Sequence, residues 1–480
     1  MNEIYHIALL VGIELIGLIF LSIFKVESKL NIWLGFVTGL FVINQTFLFS
    51  LFLLDHVNDI VFLLLALLAL AAFYFNKSRI LAQLTTGSVR TDVLIMLGFM
   101  TLVVLKPNYI GITSDSVHYY IASEAINNNF LTGDMLQKFS WFFANARLIF
   151  LDMLIVLGLV LDADLIVYIL PLIGFISLMF IFRIIAINFD LNQTQKFFLL
   201  LSIVLFSLSV DRFLSHTHYL HSNLITGVYY LFGVVMLMPS EENKREYMAP
   251  WLGILFLSVT VLIRKEMLLF SLIPVMLYLL LNKQNFSVLV RHVLLYLLVS
   301  YQWIAYYLWK VGEIDLNLND LFYSGHGTAQ DYLFAFITTV VLTIVALSTN
   351  NFLRKTTVNV LLYFSYLAFL LVLFAVDFNE TMETIVKLLN YSILNINAWG
   401  FYWVVLFLSL IYSYKNGING YLSHIVLSFV IVRIGIYVLY DTITDYGGGD
   451  RMMLLIFFIG MYIIFHSVQH NLNSGSVVKK

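Results

Sequence analysis

Long apolar runs separated by short polar turns govern what this chain can fold into. The first, Tyr5 to Phe24, holds a single Asp, Glu, Lys or Arg residue, Glu14. A helix that crosses a bilayer core of roughly 30 Å needs about 20 predominantly apolar residues in a row, and runs of this kind recur to the end of the chain. With 61% hydrophobic and 11% charged side chains in 480 residues, a soluble globular fold is excluded. Only 5 prolines interrupt the runs. The expected fold is therefore all-α: a polytopic membrane protein of roughly 13–15 transmembrane helices. A net charge of -2 argues against a nucleic-acid partner. The absence of cysteine removes disulfides, thiol catalysis and thiolate metal sites.

Because Tyr5 to Phe24 is followed by further apolar sequence and no small-residue cleavage site, it reads as a retained helix. The other candidate spans are Ile32 to Leu54, Ile60 to Phe75, Val93 to Leu105, Leu165 to Ile187, Phe197 to Val210, Leu224 to Met238, Trp251 to Ile263, Leu268 to Leu281, Val293 to Trp309, Tyr332 to Leu347, Val358 to Val376, Ala398 to Tyr414, Leu422 to Tyr440 and Met452 to Phe465. One alternating set of loops and span ends carries most of the basic residues, among them Lys25, Lys29, Lys77, Arg79, Arg90, Lys244, Arg245, Arg354, Lys355 and Lys415. That side is expected to be cytoplasmic. The assignment keeps one sign along the chain only if Leu148 to Leu161, which contains Asp152, lies along the membrane or dips into it without crossing. The expected organisation is one integral-membrane domain over residues 1–480. It comprises N-terminal spans (1–105), a large extracytoplasmic loop with juxtamembrane helices (106–164), the remaining spans (165–467) and a cytoplasmic tail (468–480).

The longest stretches outside the spans, Lys106 to Arg147, Lys310 to Asp331, Asp377 to Asn397 and Asp441 to Asp450, all fall on the outer side, which places the working surface there. In the first of them Ser114 is placed to cap a helix with Asp115 in its first turn. Tyr119, Ala122 and Ile126 then continue the Asp115 face at helical spacing. On residues alone Asp115 has two readings, a solvated capping acid or a carboxylate presented at the membrane surface.

The order Asp115-x-x-x-Tyr119-x-x-Ala122, with Gly133-Asp134 shortly after, resembles the start of the first extracytoplasmic loop of GT-C glycosyltransferases, particularly the protein O-mannosyltransferases and the lipid A aminoarabinose transferases. Leu161 to Asn188 is similar to the segment that follows that loop, and Asp450-Arg451-Met452-Met453-Leu454-Leu455 to the entry of a late helix. The likeness covers about a third of the chain through short motifs. Ser114-Asp115 stands where many members have two adjacent acids, and the Lys-Pro-Pro-Leu-Tyr-Tyr stretch of those transferases is missing. The resemblance implies an inverting transferase that takes a sugar from a polyprenyl-phosphate donor. It implies Asp115 as the catalytic carboxylate, Asp134 as a second acidic group and an active site on the outer face, here of a bacterial cell membrane.

Such a transfer needs a carboxylate base on the acceptor hydroxyl and cations on the departing phosphate. Arg264, Lys265 and Arg451 sit on the outer side against the general trend, either as donor-phosphate ligands or as interfacial anchors whose stems snorkel to the headgroups. Tyr119, Asp134 and His326 are candidates for ordering the loop or the acceptor. His216, His218 and His221 form a histidine cluster that either lines a polar pocket or holds a divalent metal ion, the one cofactor in view. Glu14, Asp152 and Arg433 lie inside apolar runs, where charge is costly, and are expected to face the bundle interior or the headgroups.

The expected function is transfer of sugar from a polyprenyl-phosphate donor to an extracytoplasmic glycan, lipid or protein acceptor. The alternatives are a transporter or flippase for a lipid-linked saccharide, and a polysaccharide polymerase. The bilayer is the remaining expected partner.

Overall fold

The computed structural model describes residues 2–107 apart from 27–29, 55–58 and 86; 119–124 apart from 122; 150–302 apart from 162, 218, 220, 239–248, 265–266 and 282–285; 355–440; and 453–477. Among the described residues the chain is helical nearly throughout and contains no strand. This is the all-α polytopic architecture that the apolar runs require, because a backbone in hydrocarbon must satisfy its polar groups within its own helices. Four described helical segments are long and apolar enough to cross a membrane: Glu3–Ile23, Asn31–Ser50, Ile166–Asn188 and Met453–Ser474. Shorter apolar helices accompany them. The chain divides into two compact units.

The first unit comprises Met1–Phe180, Ser215–Ile225 and Tyr301–Asn317. It contains α1 (Asn2–Ile23), α2 (Asn31–Leu54), α3 (Asp59–Thr85), α4 (Gly87–Leu105), α5 (Phe150–Val160) and the first part of α6 (Ile166–Asn188). Helix α1 packs on α2, α3 and α4, and α2 also packs on α5. The α1–α2 crossing is made of glycine. A Cβ on Gly17 would strike the carbonyl of Gly35 and lie 2.6 Å from the amide of Gly39, and one on Gly39 would strike the carbonyl of Ile13. Gly35-x-x-x-Gly39 thus presents the smooth face that lets two membrane helices touch backbone to backbone. Helix α3 extends well past the apolar run Ile60 to Phe75. Good helix formers through Leu84 carry it on, so Lys77 and Arg79 are helical and not loop residues. Lys77 lies over the Tyr74 ring, and Arg79 Nη1 donates to the Ser22 carbonyl at 3.4 Å.

Helix α5 has 11 residues, about 16 Å at 1.5 Å per residue, well short of a bilayer core. Phe150, Leu151, Met153, Leu154, Val156 and Leu157 are all buried, and the Asn44 side-chain amide donates to the Phe150 carbonyl at 3.3 Å. The Asp152 side chain lies outside the described residues.

The second unit comprises Ile181–Leu214, Thr226–Ser300 and Leu318–Lys480. After α6, its helices are α7 (Gln193–Leu208), α8 (Asp211–His216), α9 (Ser222–Met236), α10 (Pro250–Ile263), α11 (Met267–Leu281), α12 (Phe286–Ser300), α13 (Lys355–Val376), α14 (Phe378–Leu388), α15 (Ile396–Trp399), α16 (Tyr402–Asn416), α17 (Gly420–Tyr440) and α18 (Phe457–Val477). The last residues of α8 and the first of α9 belong to the first unit. Within the second unit α10 packs on α11 and α12, α17 on α11, α13, α14 and α18, and α18 on α7 and α16. A capping box opens α7: the Gln195 amide donates to Asn192 Oδ1 at 2.9 Å, and the Asn192 amide to Gln195 Oε1 at 3.0 Å. The apolar run Ala398 to Tyr414 is not one helix. It breaks at Gly400, whose φ of 56° suits glycine and where a Cβ would lie 2.9 Å from the Ser209 carbonyl. Tyr402 then fixes α16 to α18 by donating its hydroxyl to the Phe457 carbonyl at 3.0 Å.

Candidate functional site

In the first unit a polar cluster forms where the N-terminal ends of α1 and α6 meet the residues just after α5. Tyr5 donates its hydroxyl to the Leu161 carbonyl at 2.9 Å, and the Tyr168 hydroxyl is 3.2 Å from His6 Nδ1. Asp164 precedes α6, and its Oδ1 accepts from the Tyr120 hydroxyl at 3.5 Å. Glu3 and Asp164 both lie within electrostatic reach of the Tyr168 hydroxyl. Partial burial raises the Asp164 carboxyl above the usual carboxylate range, against the opposing effect of the Tyr120 hydrogen bond. Burial, reinforced by the Asp164 charge, pushes the Tyr120 phenol up to about 12 and keeps it a hydrogen-bond donor. A carboxyl with raised affinity for protons beside a phenol is equipped to exchange a proton with a bound hydroxyl group.

Residues 119–121 and 123–124 are helical. Tyr119 and Ser123 are buried one turn apart, and the Ser123 hydroxyl donates to the Tyr119 carbonyl at 2.7 Å, so this face is turned into the protein. Ile121 is exposed. Asp115, Asp134 and His326 lie outside the described residues, as do Lys265 and Arg451.

Of the histidine cluster, His216 and His221 are buried with ring centroids 5.5 Å apart. The Ser215 hydroxyl is 3.4 Å from His216 Nδ1, and the His221 amide donates to the Tyr219 carbonyl at 2.9 Å. His218 is outside the described residues. Among the described residues no group of three histidine or acidic side chains is placed to hold a metal ion. His216 and His221 are close enough to act together as polar lining.

The chain matches no protein-family model, no curated protein and no solved structure.

In the second unit Arg264 ends α10. Its backbone is extended (φ -147°, ψ 118°), its amide donates to the Thr260 carbonyl at 2.9 Å and its carbonyl accepts from the Met267 amide at 3.0 Å. The side chain is only 7% exposed, which is a buried guanidinium at a helix break and not an anchor reaching into the headgroups. Arg433 in α17 is likewise buried, as expected for a charge inside an apolar run. The local mark of the Asp164 cluster is the acidic pair Asp162 and Asp164 between two apolar runs, and the Asp164 partner Tyr120 is distant in sequence.

Proposed function

We propose that this protein is an integral-membrane glycosyltransferase that moves a sugar from a polyprenyl-phosphate donor to an extracytoplasmic glycan, lipid or protein acceptor. The observation that carries the reading is the Asp115-x-x-x-Tyr119-x-x-Ala122 order, and the buried helical turn at Tyr119 and Ser123 supports it. In the proposed reaction Asp115 takes the proton of an acceptor hydroxyl, and that oxygen attacks the anomeric carbon. The bond from this carbon to the phosphate oxygen breaks with inversion, and polyprenyl phosphate departs with the electron pair. Arg264, Lys265 and Arg451 are assigned to the phosphate, where a guanidinium matches two oxygens at once. Asp134 and His326 are assigned to the acceptor side. Asp164, with its raised proton affinity, is a second group for handling the acceptor hydroxyl.

Glu14 favours a second reading, transport of a lipid-linked saccharide, because a buried carboxyl within a membrane helix is a common component of ion and substrate pathways. One experiment separates the two. Purified protein in vesicles is given labelled polyprenyl-phosphate sugars and acceptor lipids, and both released polyprenyl phosphate and donor movement between leaflets are measured. Release that disappears with Asp115→Asn supports the transferase. Movement without release, or full release by the Asp115→Asn protein, rejects it.

A further inference from the structure

The segment 377–397, which reads in sequence as an outer connection, is folded for half its length into α14, and this helix has three distinct faces. Thr381, Thr384 and Leu388 are buried, and α14 packs on α13 and α17. Glu380, Glu383 and Lys387 form a charged face, with Lys387 paired to Glu383 one turn away. Phe378, Met382 and Val386, each four residues from the last, form an apolar stripe that is 63%, 41% and 45% exposed. Leu389 continues this stripe beyond the helix.

We propose that α14 lies in the plane of the membrane with the Phe378, Met382 and Val386 face seated among the acyl chains of one leaflet. Its 11 residues span about 16 Å, too short to cross, and the arrangement of apolar and charged faces is that of an interfacial helix. The occupant of the stripe follows from what it joins. Helix α13 exposes Phe364, Leu367 and Leu371 along one side and Val376 at its last turn, and the Phe378 ring packs on Phe374 at 5.5 Å, so the stripe of α14 begins where that lipid-facing surface ends. Beyond α14 the chain re-enters an apolar helix, α16, which exposes Val404, Phe407 and Leu408. The turn between α13 and α14 is held on both sides. Asp377 caps α14 by accepting from the Glu380 amide at 2.9 Å, and the Thr381 hydroxyl reaches back to the Leu373 carbonyl at 3.0 Å.

The charges narrow the partner further. Asp377, Glu380 and Glu383 outnumber Lys387, whereas a helix that recognised anionic headgroups would carry lysine and arginine. The attraction is therefore to the apolar layer of the leaflet and requires no acidic lipid. This placement is independent of the proposed reaction, because it rests on side chains that take no part in it.

The chain contains no cysteine, so a single introduced thiol is the only one present. Full-length Met382→Cys, Val386→Cys and Glu383→Cys proteins, each carrying one thiol-linked environment-sensitive fluorophore, are reconstituted in phosphatidylcholine vesicles with or without lipid brominated on its acyl chains. Quenching by brominated lipid is expected to be several-fold stronger at 382 and 386 than at 383, and a water-soluble quencher should show the reverse order. The pattern should persist in high salt. Equal quenching at 382 and 383 overturns the proposal. So does thiol crosslinking between copies at 382 and 386 without lipid quenching, which would make the stripe an interface between two copies of this chain.

Discussion

The carboxyl of Glu14 on α1 occupies the space that a side chain at Gly35 on α2 would need. A Cβ added to Gly35 meets the Glu14 carboxylate, which also lies against the backbone at Phe36. Neither carboxylate oxygen makes a hydrogen bond of good geometry among the described residues. A buried acid is thus built into a close helix crossing of the first unit, where it can be accommodated only because the facing residue has no side chain.

This crossing predicts an order of severity for alanine substitutions. Gly17→Ala and Gly39→Ala press on backbone and should each cost about 1–3 kcal/mol, as overpacking of a close contact does. Gly35→Ala should cost less, because the obstructing Glu14 side chain can turn away. Gly12→Ala meets nothing within 4 Å and should be neutral or slightly stabilising. Thermal unfolding of the four purified variants in detergent checks the order.

Asp164 predicts a pH dependence. Its carboxyl has a higher pKa in the folded protein than in the unfolded chain, so between the two values the folded state binds more protons. Its contribution to stability is complete below the ordinary aspartate pKa of 3.8 and is lost as pH rises through the raised folded value. Asp164→Asn should therefore gain stability relative to the parent as pH is raised from that range toward neutrality. The difference between their unfolding midpoints should become constant once the pH is above the raised value. A pH series of melting temperatures for the two proteins measures it.

For the proposed transfer, Asp115→Asn should lower kcat by about a hundredfold to ten-thousandfold, the usual contribution of a positioned base, with the melting temperature unchanged. Single-turnover assays with labelled donor read this directly.

Arg264→Lys keeps the charge but loses the planar fork that binds two phosphate oxygens. If Arg264 holds the donor, the KM for the lipid-phosphate sugar should rise about tenfold, with less change in kcat. A melting temperature measured in parallel separates loss of donor binding from loss of packing.

Much of the membrane architecture was legible because hydrocarbon imposes a length and a composition on each helix. Leu165 to Ile187 was readable as a span, and the helix runs from Ile166 to Asn188. Elsewhere composition alone misled. Polar but helix-favouring residues extend α3 past Lys77, and one glycine at 400 splits an apolar run that looks continuous. The amphipathic character of α14 was hidden because two threonines, with Leu388 beside them, form its buried side.

The apolar runs by themselves determined that this protein is a helical membrane protein, because without water every backbone amide must bond within its own helix. They also marked Glu14, Asp152 and Arg433 as costly charges needing a particular environment. Which environment each received was decided only by tertiary structure. Glu14 faces Gly35, Asp164 meets Tyr120, and Tyr168 meets His6. Those partners come from segments far apart in sequence, and only the packing of whole helices brings such groups together. Local periodicity tells which face of a helix is buried, and it cannot tell against what.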